Sequence, residues 1–387
     1  EDRGQKTEGR THHLLTIAAK SAEALRAYAG HYLALLTEQP ALNLGELCYA
    51  AQTARSHFAY RLGLVAASGE DLQHQLRAYT TGEVSASLSQ GQVAANQAPP
   101  KIAMLFTGQG AQYLQMGRDL YAQAPLFHAV IDRCDTVMQE VMGRSLLDLI
   151  YPATPPARND LLESHPCGQA VNFALACALA DLWRSWGVQP TMVLGHSLGD
   201  FAAAYTAGVF SLEDGLRLVI ERGRLMEQAL GSMVSVIGAE ADVAPFLAGM
   251  SDVTIGVING PKSVVISGGH EHVATVTAQL QAAGFKTRKL DIPVAAHSPM
   301  LDPVLAAFEA AVRRVPLTPP QLPVVSSMTG KLVTTELTDP AYWRQHLRNT
   351  VRFADGVMTL LAQDVDLFIE IGPKPTLLSL AEQVLDT

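Results

Sequence analysis

Short apolar runs alternate with amphipathic stretches in the part of the chain beyond residue 100. The runs at 102–106 and 191–194 each end in a glycine-containing turn, and each turn leads into a stretch with helical periodicity. This alternation predicts parallel strands joined by crossover helices, which is an α/β fold. Because ligands of such sheets bind beyond the carboxyl ends of the strands, the two turns are the first candidates for a functional site.

The pattern changes between residues 232 and 291. The periodicity there predicts strand, helix, strand, strand, helix and strand, at residues 233–237, 243–250, 253–257, 263–267, 272–283 and 286–290. This is the ferredoxin-like order of elements. We therefore predict an α/β-hydrolase-like core with a parallel sheet, made of residues 100–231 and 295–387, into which a ferredoxin-like subdomain of residues 232–294 is inserted.

The first part of the chain carries no chemical motif. Helical patterns at 18–36 and 71–79 and a strand-like run at 61–66 predict a small α/β unit within residues 1–99. Residues 83–100 are rich in Ser, Gln, Ala and Pro without apolar periodicity, which predicts a linker. The chain begins with the polar segment EDRGQKTEGR, so we expect a piece of a longer protein without a secretory leader.

Composition narrows the function classes. The 387 residues are 48% hydrophobic and 17% charged, which is typical of a globular protein. The net charge of −9 argues against a nucleic-acid binder. The most apolar stretch, 170–183, is too short and too polar to span a bilayer, so we expect a cytoplasmic protein. The cysteines are isolated along the chain, which predicts buried, reduced thiols rather than disulfides or a metal site. They are Cys48, Cys134, Cys167 and Cys177.

A GxSxG motif, Gly195 to Gly199, occupies the second of the two turns. Small residues on both sides of the serine permit a tight strand-to-helix turn, which lifts the Ser197 hydroxyl above the sheet at a helix N-terminus. The motif is short enough to occur by chance, but its position between a predicted strand and a predicted helix favours a serine nucleophile.

A serine hydroxyl needs a base to remove its proton, and we expect a histidine in that role. Among the 12 histidines, His297 is the best candidate, because it follows the last strand of the inserted unit, where the chain returns to the main sheet. His196 lies inside the serine turn and is expected to point elsewhere. We expect four others to be exposed polar residues: His12, His13, His270 and His272.

Two further features are open to more than one interpretation. The turn around Gln109 lacks the GK[ST] of a phosphate loop, and it is either a plain turn or the source of an N–H that stabilises an oxyanion together with that of Leu198. Arg222 lies on an apolar helical stretch. It is either a helix-surface cation, which is the usual case, or a fork that binds a carboxylate through two hydrogen bonds.

Taken together, the motifs resemble, in order and spacing, the malonyl-CoA:acyl carrier protein transacylase family. They are GQGAQ (108–112), GHSLGD (195–200), ERGRLM (221–226), AAHSPM (295–300) and FIEIGPKPTL (368–377). The likeness is greatest to acyltransferase domains of modular type I polyketide synthases, and it runs from about residue 101 to the C-terminus. Residues 1–99, with HLLTIAAKS at 13–21, look like the linker domain that joins a ketosynthase to its acyltransferase.

The resemblance implies how the reactive residues act. Ser197 is the acylated nucleophile and His297 is its base. The family has no triad aspartate, and a backbone carbonyl from residues 349–352 orients the imidazole instead.

It also implies which residues bind the substrate. Backbone N–H groups of Gln109 and Leu198 form the oxyanion hole, and Arg222 pairs with the free carboxylate of the extender unit. The remaining implied residues line the substrate pocket: Gln169, His196, Val294 and Ala296.

The implied function is transfer of a malonyl-type unit, malonyl or a 2-alkylmalonyl such as methylmalonyl, from coenzyme A to the phosphopantetheine thiol of an acyl carrier protein. The transfer runs through acyl-Ser197 and belongs to polyketide biosynthesis. We expect no metal or redox cofactor. The expected partners are the acyl-CoA, the carrier protein and the neighbouring ketosynthase, with no nucleic acid and no membrane.

The sequence departs from the family pattern at two places. The position usually written GHSxGE carries Asp200, a change that keeps the charge and should leave the turn intact. The segment that ends at the catalytic histidine, often HAFH in malonyl-selective and YASH in methylmalonyl-selective domains, is VAAH here. Ala296 should leave room for an α-branch, whereas Leu198 resembles malonyl-selective domains, so both extender types stay open.

Two other functions are compatible with parts of the pattern. A serine hydrolase or thioesterase of the α/β type shares the GxSxG turn but releases its acyl group to water. A catalytically silent interaction module of a larger synthase would not need intact Ser197, His297 and Arg222. The inserted subdomain and Arg222 favour a carboxyacyl transferase over both.

Overall fold

The protein divides into two compact units, Glu1–Pro99 and Pro100–Thr387. The structure, a computed structural model, describes residues 12–83, 88–94, 98–154 and 160–385. Within these ranges no helix combines the length and apolar character needed to cross a membrane. The polar start of the chain and residues 84–87 and 95–97 of the predicted linker lie outside the described residues.

The first unit combines a three-stranded antiparallel sheet with three helices. Its elements are β1 (His13–Ala19), α1 (Ala22–Glu38), α2 (Leu44–Thr53), β2 (Tyr60–Ala66), α3 (Gly69–Thr81) and β3 (Leu88–Gln92). The strand order is β1-β2-β3. Alternate residues of β1 and β2 are buried, among them Leu15, Leu62 and Leu64, so this unit has a core of its own.

Three expectations for this unit are wrong. The helix predicted at 18–36 begins only at Ala22, because residues 18 and 19 belong to β1 and pair with β2, and Ser21 caps the helix by accepting a hydrogen bond from the Ala24 N–H. The predicted linker contains β3, which pairs with β2 along its whole length. Its side chains are mostly exposed, so no apolar alternation marks it in the sequence. His13 is half-buried within β1 rather than exposed.

The second unit begins with a strand, a run of helices and the serine turn. The elements up to residue 226 are β4 (Ile102–Phe106), α4 (Arg118–Gln123), α5 (Pro125–Met142), α6 (Leu146–Ile150), α7 (Asp160–Glu163), α8 (His165–Ser185), β5 (Met192–Gly195), α9 (Gly199–Thr206) and α10 (Leu212–Met226).

The remainder of the second unit starts with the predicted inserted segment. Its elements are β6 (Ser232–Ile237), α11 (Glu240–Val243), β7 (Val253–Gly260), β8 (Ser263–Gly268), α12 (His270–Ala282) and β9 (Lys286–Lys289). The chain continues through α13 (Leu305–Val312), β10 (Val324–Val325), β11 (Leu332–Val333), α14 (Pro340–Arg348), β12 (Val351–Arg352), α15 (Phe353–Ala362), β13 (Leu367–Ile371) and α16 (Leu377–Leu385). Short 3₁₀ turns lie at Ala244–Leu247, Pro299–Val304 and Thr335–Thr338.

The main sheet of this unit has the strand order β11-β10-β5-β4-β13. Four of its strands, β10, β5, β4 and β13, run parallel, and β11 is antiparallel to β10. The parallel strands predicted at 102–106 and near 191–194 are therefore direct neighbours, with Phe106 opposite Gly195. Both strands are almost entirely buried, so the turns that follow them meet at one edge of a rigid sheet.

A second sheet has the order β12-β7-β8-β6-β9, and β6, β7, β8 and β9 pair antiparallel. The helix predicted at 243–250 is wrong, because α11 ends at Val243 and Pro245 lies in the 3₁₀ turn that follows it. The sheet also extends beyond the predicted segment 232–294, because β12 pairs with β7. Residues beyond 294 therefore contribute a strand to the second sheet.

Candidate active site

Ser197 lies in the turn between β5 and α9, and its backbone is strained. Its φ is 52°, in the left-handed region that non-glycine residues seldom adopt. The two flanking glycines make the turn possible: a Cβ on Gly195 would clash with the backbone of Asp200, and one on Gly199 would clash with the carbonyl of Phe106. The turn therefore presents a half-buried serine hydroxyl at the carboxyl edge of the main sheet.

His297 meets this hydroxyl. Its Nε2 lies 2.7 Å from Ser197 Oγ, and its Nδ1 lies 2.9 Å from the carbonyl oxygen of Asn349. A carbonyl only accepts, so Nδ1 carries the proton and Nε2 is left to accept the serine proton. The orienting carbonyl belongs to the segment 349–352 that the family resemblance implies.

The segment that carries His297 is anchored to the second sheet. The Ala295 N–H donates to the Ala229 carbonyl at 2.8 Å, and Ser267 Oγ donates to the Ala296 carbonyl at 2.5 Å. His297 itself has a φ of 55°, so both members of the serine-histidine pair sit on left-handed backbone. Strain of this kind persists only where the surrounding structure holds it, and it is common at functional sites.

Arg222 is completely buried, so the more usual interpretation of a helix-surface cation is wrong. Its Nη2 donates to Ser197 Oγ at 3.0 Å and its Nη1 donates to Gln169 Oε1 at 2.8 Å. Among the described residues its Nε has no hydrogen-bond partner. A buried guanidinium with no paired carboxylate is costly, which favours a site that receives an anion from outside.

The hydrogen bonds continue away from the serine through side chains of two helices and a turn. Gln169 Nε2 donates to Gln109 Oε1 at 3.1 Å, and Gln109 Nε2 lies 2.9 Å from His165 Nδ1. Gln169 is fully buried, and His165 is 3% exposed. The predicted pocket residue Gln169 is thus the direct partner of Arg222.

Burial sets the charge states in this cluster. Burial, and after it the charges of Arg222 and His346, hold the pKa of His297 well below its usual range, against the opposing effect of the Asn349 carbonyl. Burial also lowers the pKa of Arg222 to about 10, so the guanidinium stays charged at neutral pH. A neutral imidazole next to a serine hydroxyl and a cation is the arrangement that a general base requires.

The two residues predicted for an oxyanion hole lie on neighbouring turns. Gln109 follows β4 and Leu198 follows Ser197, and the turns are held together by a hydrogen bond from the His196 N–H to the Phe106 carbonyl at 2.9 Å. Leu198 is 2% exposed and Gln109 is half-buried. Their positions at the ends of adjacent parallel strands fit two N–H groups directed at one reacting carbonyl, and the role itself remains a prediction.

The other predicted pocket residues surround the histidine segment and the serine turn. His196 Nε2 lies 2.8 Å from Asn259 Oδ1, and its ring packs 5.5 Å from that of Phe353. Val294 and Ala296 are buried on either side of Ala295. All three lie within three residues of Ser197 or His297 in the chain, and their contact with a substrate remains a prediction.

Sequence reasoning missed a second polar cluster behind the serine turn. Asp200 is 3% exposed, and its carboxylate accepts hydrogen bonds from the Gly195 N–H at 3.0 Å and from the N–H and hydroxyl of Ser327 at 3.1 and 2.8 Å. His346 Nε2 is 3.0 Å from the same carboxylate but is misaligned for a hydrogen bond. Asp200 thereby fastens the serine turn to the neighbouring strand β10.

One signal in the sequence points to this cluster. Ser326 and Ser327 follow the apolar pair of β10, so they are small polar residues at the carboxyl end of a buried strand, as at the other two turns. His346, by contrast, lies in the last turn of α14 between Gln345 and Leu347, and nothing in this local sequence indicates that it would be buried beside Asp200.

Comparison with known proteins agrees with this geometry. Residues 103–387 match the family described as acyl transferase domain, and residues 13–76 match the family described as CurL-like, PKS C-terminal. The polyketide synthase GfsA of Streptomyces halstedii is 37% identical over 385 residues, which is 95% of this chain and 5% of that protein. The chain spans between 5% and 22% of the length of the curated relatives that it matches.

Two solved structures extend the comparison. The acyl transferase domain of ZmaA has a TM-score of 0.90 and 32% identity, covering 98% of this chain and 87% of that one. A malonyl-transacylase in complex with a type II PKS acyl-carrier protein, PlMCAT:AntF, has a TM-score of 0.68 and 28% identity, covering 74% and 94%. The chain therefore belongs to the acyl transferase domain family, in the branch found in modular type I polyketide synthases.

Proposed function

We propose that this domain moves a malonyl-type unit from coenzyme A to the phosphopantetheine thiol of an acyl carrier protein, with Ser197 as the acylated residue. One observation carries the proposal: the Ser197 hydroxyl lies between the Nε2 of a neutral His297, at 2.7 Å, and the guanidinium of a buried Arg222, at 3.0 Å. A nucleophile, its base and a cation for a carboxylate thus meet at one oxygen atom.

In the first half-reaction, Ser197 Oγ attacks the thioester carbonyl carbon of the acyl-CoA while its proton passes to His297 Nε2. The N–H groups of Gln109 and Leu198 stabilise the negative oxygen of the tetrahedral intermediate. The carbon–sulfur bond then breaks, the coenzyme A sulfur takes the proton from His297, and the acyl group remains as a serine ester.

In the second half-reaction, the carrier protein's thiol sulfur attacks the ester carbonyl and gives its proton to His297. The carbon–oxygen bond breaks, and the proton returns to Ser197 Oγ. No metal or redox cofactor enters the scheme. The complex of a malonyl-transacylase relative with an acyl-carrier protein supports a carrier protein as the acceptor here.

Arg222 favours a substrate that carries a second carboxylate. With Nη1 on Gln169 and Nη2 on Ser197, its Nε is the guanidinium nitrogen to which the described residues give no hydrogen-bond partner, and a carboxylate bound edge-on would accept from it. Ala296, next to the base, leaves space where a bulkier residue would block an α-branch. We therefore propose malonyl and 2-alkylmalonyl units as the substrate class, with Gln169, His196, Val294 and Ala296 lining the pocket.

A serine hydrolase would share the serine turn and the histidine, but the acyl transferase family and the buried Arg222 favour transfer. Intact-mass measurement after brief incubation with malonyl-, methylmalonyl- and acetyl-CoA tests the proposal. We expect a stable mass increase with the first two that disappears when a phosphopantetheinylated carrier protein is added. Continuous turnover of malonyl-CoA to free malonate, without an acylated protein, would identify a hydrolase instead.

We further propose that the two units have different tasks. The match of residues 13–76 to a polyketide synthase family supports a linker domain, residues 1–99, that docks to a neighbouring ketosynthase. Within residues 100–387, the strand order β9-β6-β8-β7 supports a ferredoxin-like subdomain of residues 232–294 on an α/β-hydrolase-like core. A chain beginning at residue 100 should then still be acylated, and a folded chain of that length that stays unmodified would contradict the division.

A further inference from the structure

A continuous chain of hydrogen bonds runs from the reactive serine to a buried histidine at the start of α8. It passes from Ser197 Oγ to Arg222, from Arg222 to Gln169, from Gln169 to Gln109, and from Gln109 to His165. The packing of α8 against α10 brings His165 and Arg222 into the same buried region. No motif points to His165, and the proposed reaction steps do not use it.

The direction of this chain follows from its first member, because an arginine can only donate. Arg222 must donate to Gln169 Oε1, so the amide nitrogen of Gln169 faces Gln109. Gln109 must then offer its oxygen to Gln169, and its own nitrogen lies 2.9 Å from His165 Nδ1. The same Nδ1 lies 3.1 Å from Gln109 Oε1, the longer of the two contacts.

The shorter contact favours His165 Nδ1 as an acceptor, because a proton on Nδ1 would face the NH₂ group of Gln109 at 2.9 Å, donor against donor. Nδ1 of His165 can accept only if the imidazole is neutral and its proton is on Nε2. Burial, and after it the charge of Arg222, lower the pKa of His165 to about 4, so the ring is neutral throughout the physiological range. Its Nε2 has no hydrogen-bond partner among the described residues, which agrees with a ring held by Nδ1 alone.

We propose that His165 is a positioning residue for substrate selection. As the terminal acceptor, it holds the Gln109 amide in the orientation that Gln169 requires, and through the two amides it supports the Arg222 guanidinium in the position that meets the second carboxylate of the acyl unit. This inference rests on the proposed function of Arg222. Without the acceptor, the NH₂ group of Gln109 loses its partner and the amide can turn, so that Gln169 loses the oxygen to which its Nε2 donates and Arg222 loses a firmly held partner.

The test replaces only the acceptor. In His165→Leu a methyl group takes the position of Nδ1, so volume is retained and the hydrogen bond is lost. We expect the ratio of kcat/KM for malonyl-CoA to that for acetyl-CoA to fall about tenfold, which is the effect of about one hydrogen bond to a charged network. In His165→Asn the side-chain oxygen takes the same position, and we expect the ratio to return to within about threefold of wild type.

Asn172, about two turns along the same helix, provides a matched control. Asn172 is as buried as His165, and its Nδ2 donates to Gln112 and to the Gly168 carbonyl rather than to the chain that reaches Arg222. Asn172→Leu removes a comparable buried polar group, so it should cost stability while leaving the malonyl to acetyl ratio unchanged.

The outcomes separate the possibilities. An unchanged ratio in His165→Leu, or an equal fall in His165→Asn, would overturn the inference. Failure of the wild-type protein to take up malonyl at all would instead contradict the proposed function. If His165→Leu does not fold, ¹⁵N NMR of the wild-type protein with labelled histidines shows which ring nitrogen of His165 carries the proton. The His165 signals are assigned by their loss in His165→Asn. A neutral ring protonated on Nε2 is expected, and protonation on Nδ1 would refute the proposed acceptor.

Discussion

Two buried polar clusters contact the serine turn, and they use their hydrogen bonds differently. In the reaction cluster, Ser197, His297, Arg222 and Gln169, the Nε of the guanidinium has no hydrogen-bond partner among the described residues. The support cluster, Asp200 and Ser327, directs three hydrogen-bond donors at one carboxylate, two from Ser327 and one from the Gly195 N–H. The neighbouring His346 makes no side-chain hydrogen bond among the described residues. Buried polar groups are normally satisfied within the protein, so the unpaired Nε of Arg222 indicates where a ligand binds, and the fully bonded Asp200 carboxylate indicates what holds the turn.

The difference predicts two kinds of mutational effect. Changes in the reaction cluster should alter chemistry or substrate choice with little change in stability. Changes in the support cluster should lower the free energy of unfolding and leave substrate choice intact. Because the turn from Gly195 to Asp200 belongs to both, each experiment below measures acylation and thermal unfolding on the same variant.

Ser197→Ala should have the largest effect. The hydroxyl is the only covalent acceptor in the scheme, so formation of the acyl-enzyme should fall below detection, a loss of at least about 10³-fold. Intact mass after incubation with malonyl-CoA measures it. Tm should stay within about 2 °C of wild type, because a half-buried hydroxyl contributes little to stability. A persistent mass increase on the variant would show that another residue is acylated.

Arg222→Ala should come second, and its effect should depend on the substrate. Without the guanidinium, the second carboxylate is buried unpaired, at a cost of about 2 to 5 kcal/mol, so malonyl loading should fall about 30-fold to about 5,000-fold. Acetyl-CoA has no such group and should load as well as on wild type, or better. Competitive loading with malonyl-, methylmalonyl- and acetyl-CoA measures the change. An unchanged preference for the carboxylated substrates would remove Arg222 from the substrate site.

Asp200→Asn should show the opposite profile. An amide has one oxygen, so in either orientation its NH₂ faces a backbone N–H, that of Gly195 or that of Ser327. An unsatisfied buried donor costs about 1 to 3 kcal/mol, so Tm should fall by several degrees. The malonyl to acetyl ratio should stay near that of wild type. Asp119→Asn, an exposed carboxylate on α4, is the control and should change neither quantity. A lost preference at unchanged Tm would contradict the division into two clusters.

How far each cluster could be predicted depends on how local its contacts are. Ser197 was identifiable because the strand, the glycines and the helix that form its turn are consecutive in the chain. His297 lies 100 residues away and could be ranked only by its place after the inserted strands. Arg222 stayed ambiguous because a lone arginine on an apolar helix does not reveal whether it faces solvent or the core, and its complete burial decides between them.

Other features could not be predicted because pairing between distant segments creates them. Asp200 and Ser327 are 127 residues apart, and they meet only because β10 pairs with β5 in the main sheet. The strand β3 has an exposed, polar sequence, LSQGQ, and forms a strand because β2 offers an edge with complementary backbone groups. The order of strands and helices between residues 232 and 291, in contrast, was visible because five of the six predicted elements are continuous periodic runs; the interruption at Pro245 is the exception.

The rate of acylation should change least with pH. Its pH dependence is also the most sensitive test of the charges in the reaction cluster. His297 must be neutral to accept the serine proton, so the rate rises with pH through its folded-state pKa and is flat above it. Since burial and Arg222 hold that pKa well below 6.5, single-turnover acylation at pH 6.0 should stay within about twofold of that at pH 7.5, whereas an ordinary histidine would give a fall of about fourfold. In Arg222→Ala one of the causes of the low His297 pKa is removed, so the acid limb of the rate, followed with acetyl-CoA, should move to higher pH.

The same low pKa of His297 predicts how stability depends on pH. Below pH 6.5 the unfolded chain binds a proton that folded His297 does not, so the free energy of unfolding should decrease as pH falls from 6.5 toward the folded-state pKa. An acid limb centred near 6.5 in the wild-type protein would mean that the base is solvated in the working enzyme, and the contrast between an electrostatically strained reaction cluster and a satisfied support cluster would be lost.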